Sequence, residues 1–121
     1  HGIKDLLLRV AKDWPEVTDI AITENGAAYP EEPDENGVVR DTRRTYYLDT
    51  HIDNVGAAIE LGAPVKSYYA WSLMDNFEWA EGYAKRFGII HVDFETQKRT
   101  LKNSAKAYSA IISNHTAPVV H

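Results

Sequence analysis

Tyr68-Tyr69-Ala70-Trp71-Ser72-Leu73-Met74-Asp75-Asn76-Phe77-Glu78-Trp79 is the stretch from which the rest of the 121-residue chain can be read. It begins as an apolar, aromatic run suited to a buried strand. It breaks at Asp75-Asn76, where short polar side chains favour a turn. Glu78 then stands between Phe77 and Trp79. Flat indole faces beside carboxylates suit a ligand with apolar faces and a hydroxyl rim, which describes a sugar ring. A Trp-rich core under a loop, with Glu78 in water, accounts for the same residues. This stretch alone leaves both readings open.

Working upstream, Val65 to Ser72 reads as a strand that feeds this stretch. A helix from about Arg44 to Leu61 precedes it, with Tyr47, Leu48, His51, Ile52, Val55, Ala58 and Ile59 along one side. Gly62 is placed to end that helix in the left-handed conformation, and Pro64 prevents its continuation. Residues 27–44 carry turn chemistry without periodicity and read as a long loop, functional or a plain surface excursion. Thr18 to Thr23 reads as a short strand whose apolar run, Ile20 to Ile22, predicts cover on both faces. Glu24-Asn25-Gly26 closes it. Residues 3–14 read as an amphipathic helix stopped by Pro15.

Downstream, residues 80–88 read as a loop. Ile89 to Phe94 and Gln97 to Thr100 read as a hairpin around Glu95-Thr96. Asn103 to about Ile112 reads as a helix with Ala107, Tyr108, Ile111 and Ile112 inward, followed by a frayed tail from Asn114. Strands alternating with helices predict an α/β fold of right-handed parallel crossovers in a single domain. Ligands in such folds bind at the carboxyl ends of the strands. Glu24-Asn25 and Asp75 to Trp79 both fall there, so they are expected on one rim.

Composition narrows the function. The net charge is -5, from 13 basic and 18 acidic side chains, with no basic block. That argues against a nucleic-acid partner or an anionic membrane surface. The absence of cysteine excludes disulfides and thiolate metal sites and fits a cytoplasmic protein. The five histidines are scattered, so no metal site is expected, and nothing points to a cofactor.

A carboxylate at a strand end is rigidly held and can be aimed at one ligand atom. Facing a sugar, Glu24 is suited to attack on the anomeric carbon. Retaining glycoside hydrolysis needs two carboxyl groups about 5–5.5 Å apart, one nucleophile and one acid/base. A capping acid is the alternative for Glu24.

These residues resemble glycoside hydrolase family 1, the β-glucosidase type. Ile22-Thr23-Glu24-Asn25-Gly26 is similar to the family's nucleophile signature. Asp41-x-x-Arg44 and Tyr47-Leu48-x-x-His51-Ile52 resemble the segment after it. Trp71 to Trp79, with Gly82-Tyr83 and Arg86-Phe87-Gly88, resembles the sugar-binding segment. Val92-Asp93-Phe94-x-Thr96, Arg99 and Lys102-x-Ser104 resemble the last hairpin and helix. The resemblance implies that Glu24 is the nucleophile, that Trp71 is the platform under the sugar and that Glu78 grips two hydroxyls. It further implies that Trp79 donates to a third hydroxyl and that Phe87 lines the wall.

The same resemblance implies a (β/α)8 TIM barrel, of which this chain carries the last two βα units and a small β-hairpin. The family's acid/base glutamate sits in an Asn-Glu-Pro motif, and no such motif occurs here. The whole chain, 1–121, therefore reads as a C-terminal part of a barrel. A β-glucoside or oligosaccharide is the expected substrate, with little activity for this part alone. The expected partners are further copies or the N-terminal barrel portion, since two strands leave open edges. A sugar-binding module without turnover and a self-assembling barrel piece are the other function classes.

Overall fold

A computed structural model describes residues 2–116; the last residues of the expected frayed tail, 117–121, lie outside the described part. The order is α1 (Gly2–Asp13), β1 (Ile20–Asn25), α2 (Thr42–Glu60), β2 (Val65–Ala70), a short 3-10 turn at Trp79–Glu81, β3 (Ile90–Val92), β4 (Arg99–Leu101) and α3 (Asn103–Thr116). β1 and β2 are parallel neighbours joined through α2, with Ile20 opposite Val65, Ile22 opposite Tyr68 and Asn25 opposite Ala70. β3 and β4 form an antiparallel ribbon.

The end of α2 has a local cause. There the Gly62 N–H donates to the Ile59 carbonyl and the Ala63 N–H to the Ala58 carbonyl. Gly62 takes φ of +101°, a conformation open to a residue without Cβ. This is a Schellman closure, and it fixes the angle at which the chain enters β2. α2 begins at Thr42, just after Asp41, and α3 runs on through Thr116 instead of fraying from Asn114.

Helices cover one face of the parallel pair. Leu7 of α1, Val55 and Ala58 of α2, Ala63, and Val65 of β2 form one core, against which Ile3, Leu8, Ala11, Ile20, Ile22 and Tyr68 pack. Leu48, Ile89 and Ala105 form a second, with Tyr47, Ile52, Ala70, Ile90 and Tyr108 around it.

The expectation of cover on both faces of β1 fails. Ile20 and Ile22 are half-buried, whereas Ala21, Thr23 and Glu24 are exposed. The helices lie on one side only, so the strand shows the alternation of a half-covered sheet. Ile59 and Ile112, expected inward, are also exposed; they line an open groove between α2, β2 and α3 with Val55, Val65 and Tyr108. Residues 27–44 are not a plain excursion either. Val39 within them is fully buried and bridges to Lys102 in parallel register.

Candidate active site

The site is built where β1 and β2 end. The Asn25 carbonyl accepts the Trp71 N–H at 2.9 Å, which carries the pairing one residue past β2. Gly26 then passes so close to Trp71 that a Cβ would lie 1.8 Å from its carbonyl oxygen. Only a residue without a side chain permits that approach. Glu24 and Trp71 thus occupy adjacent strand ends, with the Glu24 side chain exposed and Trp71 38% exposed. The Trp71–Ser72 peptide is cis.

After Trp71 the chain runs beside residues 87–90. The Ser72 N–H donates to the Phe87 carbonyl at 3.1 Å, the Ile89 N–H to the Ser72 carbonyl at 2.9 Å, and the Asp75 N–H to the Ile90 carbonyl at 3.0 Å. Phe87 is therefore tied to the residue following Trp71. Phe77, Glu78 and Trp79 stand on the excursion beyond Asp75. The Glu78 N–H donates to the Gly82 carbonyl at 2.7 Å, which closes a tight turn. Glu78 is half-buried and Trp79 is 86% exposed. Phe77 meets Tyr83 edge-on at a centroid distance of 5.4 Å, and Tyr83 meets Phe94 at a tilt, with centroids 4.4 Å apart. The structure joins Glu24 to Trp71 and Trp71 to Phe87 through the backbone. It carries Glu78 and Trp79 on the loop that leaves Trp71.

What holds this loop is a carboxylate. Asp75 is buried and accepts four hydrogen bonds. Oδ1 takes the Lys102 Nζ at 2.9 Å and the Gly88 N–H at 3.0 Å; Oδ2 takes the Arg86 Nη1 at 2.9 Å and the Val92 N–H at 3.3 Å. Lys102 is fully buried. Burial pulls its pKa down, the Arg44 charge lowers it further, and Asp75 opposes both. Gly88 is obligatory here, since a Cβ would meet the Asp75 nitrogen at 2.1 Å.

A second buried cluster lies beside the first. Asp41 accepts from Arg44 Nη1 at 2.7 Å, from the Ser104 N–H at 2.9 Å and from the Ser104 hydroxyl. It so caps the start of α3 from a distant loop. Arg44 also donates to the carbonyls of Arg86 at 2.7 Å and Tyr29 at 3.3 Å, and its Nε is buried without a partner. The work of these residues is not visible in the sequence. The signal was a charged pair at i, i+3 and a lone lysine beside apolar positions, which either an exposed or a buried cluster would show.

Behind the rim, Asn25 is gripped by two phenols. Its Oδ1 accepts the Tyr68 hydroxyl at 2.6 Å, and its Nδ2 donates to the Tyr47 oxygen at 3.3 Å. Burial pushes the Tyr68 phenol well above its ordinary pKa, and Tyr47 and Tyr108 add to the shift.

A family model described as glycosyl hydrolase family 1 matches residues 1–117. The chain belongs to this family. It is 50% identical over 109 residues to the 1,4-beta-D-glucan glucohydrolase of Thermotoga neapolitana, a match covering 90% of this chain and 24% of that protein. It is 42% identical over 122 residues to the 6-phospho-beta-galactosidase of Lacticaseibacillus rhamnosus, covering 98% and 26%. A solved family 1 β-glucosidase from Thermotoga maritima, in complex with isofagomine lactam, superposes with a TM-score of 0.91 at 48% identity. That alignment covers 93% of this chain and 26% of the other. The chain thus spans about a quarter of the length of the relatives it matches. It shares the architecture of part of a TIM-barrel glycosidase.

Proposed function

We propose that this chain supplies the nucleophile and the glycone subsite of a retaining β-glucosidase. The single observation that carries the reading is the Asn25–Trp71 backbone bond at 2.9 Å, which puts Glu24 and an exposed indole on one rim. In this reading β1–α2 and β2–α3 are the last two βα units of a (β/α)8 barrel, and the β3–β4 ribbon is an insertion after β2. Glu24 attacks the anomeric carbon to give the covalent glycosyl-enzyme. Trp71 packs under the sugar, Glu78 accepts from two hydroxyls, Trp79 donates its indole N–H to a third and Phe87 closes the wall. Charge-assisted bonds of the Glu78 kind contribute about 1.5–3 kcal/mol each.

The acid/base carboxyl comes from chain beyond this one, because leaving-group protonation needs a second group across the glycosidic oxygen. Among the described residues, β1 and β2 pair only with each other. Their free edges and the exposed face of β1 favour completion by the rest of a barrel, or by further copies of the chain. Glu78 also bears on the substrate. A carboxylate facing the far hydroxyls would repel a 6-phosphate dianion, which favours an unphosphorylated glucoside over the substrate named for the Lacticaseibacillus rhamnosus relative.

The test joins this chain to the first three quarters of the Thermotoga maritima β-glucosidase. The product is treated with 2,4-dinitrophenyl 2-deoxy-2-fluoro-β-D-glucoside, followed by peptide mass spectrometry. Label on Glu24 is expected, with loss of saturable glucose binding in Trp79→Ala. Label elsewhere, or none in a folded barrel, rejects the assignment.

A further inference from the structure

We propose that Tyr68 and Tyr47, acting through Asn25, form a clamp that aims the Glu24 carboxylate; this rests on the nucleophile reading of Glu24. The need for such a device lies in the register of the sheet. Ile22 is opposite Tyr68 and Asn25 is opposite Ala70, so three steps along β1 match two along β2. Thr23 and Glu24 therefore fall in a bulge. A bulge re-aims side chains and removes the regular ladder that would otherwise fix their direction. The direction of Glu24 is then set by whatever holds the residue after it.

Asn25 is held at three atoms. Its carbonyl is tied to Trp71, its Oδ1 to the Tyr68 hydroxyl and its Nδ2 to the Tyr47 oxygen. The orientation of the amide is fixed by these partners, since Tyr68 donates to the oxygen and Tyr47 accepts from the nitrogen. Both phenols are themselves immobilised. The Tyr47 ring stacks on His51 at 3.8 Å, and His51 Nδ1 lies 2.7 Å from the Tyr47 carbonyl. The Tyr68 ring meets Tyr108 edge-on at 6.4 Å, between β2 and α3. Asn25 is half-buried while Glu24 is exposed. The clamp thus works from the helix-covered side and the carboxylate from the open one. Each phenol is a positioning residue: neither needs to touch sugar.

The experiment uses the same completed barrel and the same fluoroglucoside. Removing the Tyr68 hydroxyl leaves Asn25 on two attachments, and small misplacements of a nucleophile are costly. Tyr68→Phe is expected to slow covalent labelling and kcat about tenfold, a fraction of the ~100-fold that a 1 Å error can cost. Glucose affinity, which depends on Trp71, Glu78 and Trp79, is expected to stay within about twofold, as is KM for an aryl glucoside. Tyr47→Phe keeps its ring on His51 and lacks only the longer bond, so a smaller slowing of about threefold is expected. This second variant serves if the first misfolds. A labelling rate unchanged in both variants, with Glu24 labelled, overturns the clamp alone. So does a fall in glucose affinity matching the fall in rate, which would mark a general loosening. If the unsubstituted barrel carries no label on Glu24, the nucleophile reading itself falls.

Discussion

Asp75 offers the sharpest test of how the loop that leaves Trp71 is held. Asp75→Asn preserves shape but removes the charge opposite Lys102 and Arg86. Arg86 has a second acid in reach, since its Nε lies 3.1 Å from Glu32. Lys102 is fully buried and bonded to Asp75, so it becomes a charge in a dry site, offset only by the field of Asp41, which is itself paired with Arg44. Breaking a buried pair in this way costs about 3–5 kcal/mol. Lys102→Met alone removes one of four donors to Asp75 and leaves Arg86 and two amides in place. It is expected to cost about 1–3 kcal/mol. In the double variant the stranded charge is gone, so Lys102→Met should cost nothing, or stabilise, when Asp75→Asn is already present. Urea unfolding of the four proteins, followed by tryptophan fluorescence, gives the cycle.

The pH dependence supplies a second reading of the same pair. A lysine whose folded pKa is depressed releases its proton in the native state before the unfolded one does. Stability therefore rises with pH between the folded value and the ordinary 10.5. Without Asp75 the depression deepens, so the deficit of Asp75→Asn should shrink as pH is raised from neutrality towards 10. Equal costs of Lys102→Met in both backgrounds, within the scatter of about 0.5 kcal/mol seen for independent sites, would show that Lys102 and Asp75 are not coupled.

Three further outcomes follow from the geometry. Gly26→Ala drives a methyl into the Trp71 carbonyl, 1.8 Å from the ideal Cβ position, and must displace backbone. A loss of about 3 kcal/mol or more is expected by calorimetry, and fluoroglucoside labelling of the completed barrel should fail; a thermally unaltered, labelled protein contradicts it. Tyr68 stays protonated in the native state at pH values where an unfolded tyrosine ionises, so its contribution is complete below about pH 10 and lost as pH rises beyond it. The alkaline limb of stability should be shallower in Tyr68→Phe, and an identical limb argues against the assignment. Asp93 is held below its ordinary value of 3.8 chiefly by the Thr96 N–H, then by the Thr96 hydroxyl and the Glu95 N–H. It stabilises above that ordinary value and ceases to as pH falls through the lowered one. An NMR titration placing Asp93 at or above 3.8 would remove the basis for expecting a flatter acid limb in Asp93→Asn.

The order of elements was legible because their punctuation is local. Pro15, Gly62 and Pro64 end helices through their own backbone chemistry, and the strands and helices between them agree with the reading to within a few residues. Strand environment was not legible. Ile20-Ala21-Ile22 reads as covered on both faces, yet only the isoleucines find neighbours in this chain. Hydrophobicity reports what a residue can bury, not which chain does the burying. Glu24-Asn25 and Trp71 were legible as neighbours at strand ends; the excursion that carries Phe77 to Trp79 beyond Asp75 was not. The supports of the rim were not legible either, since Asp75 and Lys102 are 27 positions apart and Asp41 and Ser104 are 63 apart. No local pattern distinguishes a lysine destined for a buried carboxylate from one destined for water.

The division of burial between the two sets of residues explains why both are needed. Asp41, Asp75, Lys102 and Ser104 are nearly inaccessible and satisfied by one another or by Arg44, Arg86 and backbone amides. Unpaired, such groups would oppose folding; paired, they rigidify what they connect. What they connect is the chain on either side of the loop that leaves Trp71. Trp71, Leu73, Phe77 and Trp79, by contrast, leave much of their apolar surface in water. Leaving that surface exposed forgoes about 25 cal/mol for every Å² that could be covered. In the proposed reading, aromatic side chains left uncovered on one segment offer surface to a sugar face or to the wall of a completed barrel. The two occupants are compatible, since a glycone closed in by the remaining strands would cover the same indoles from the other side.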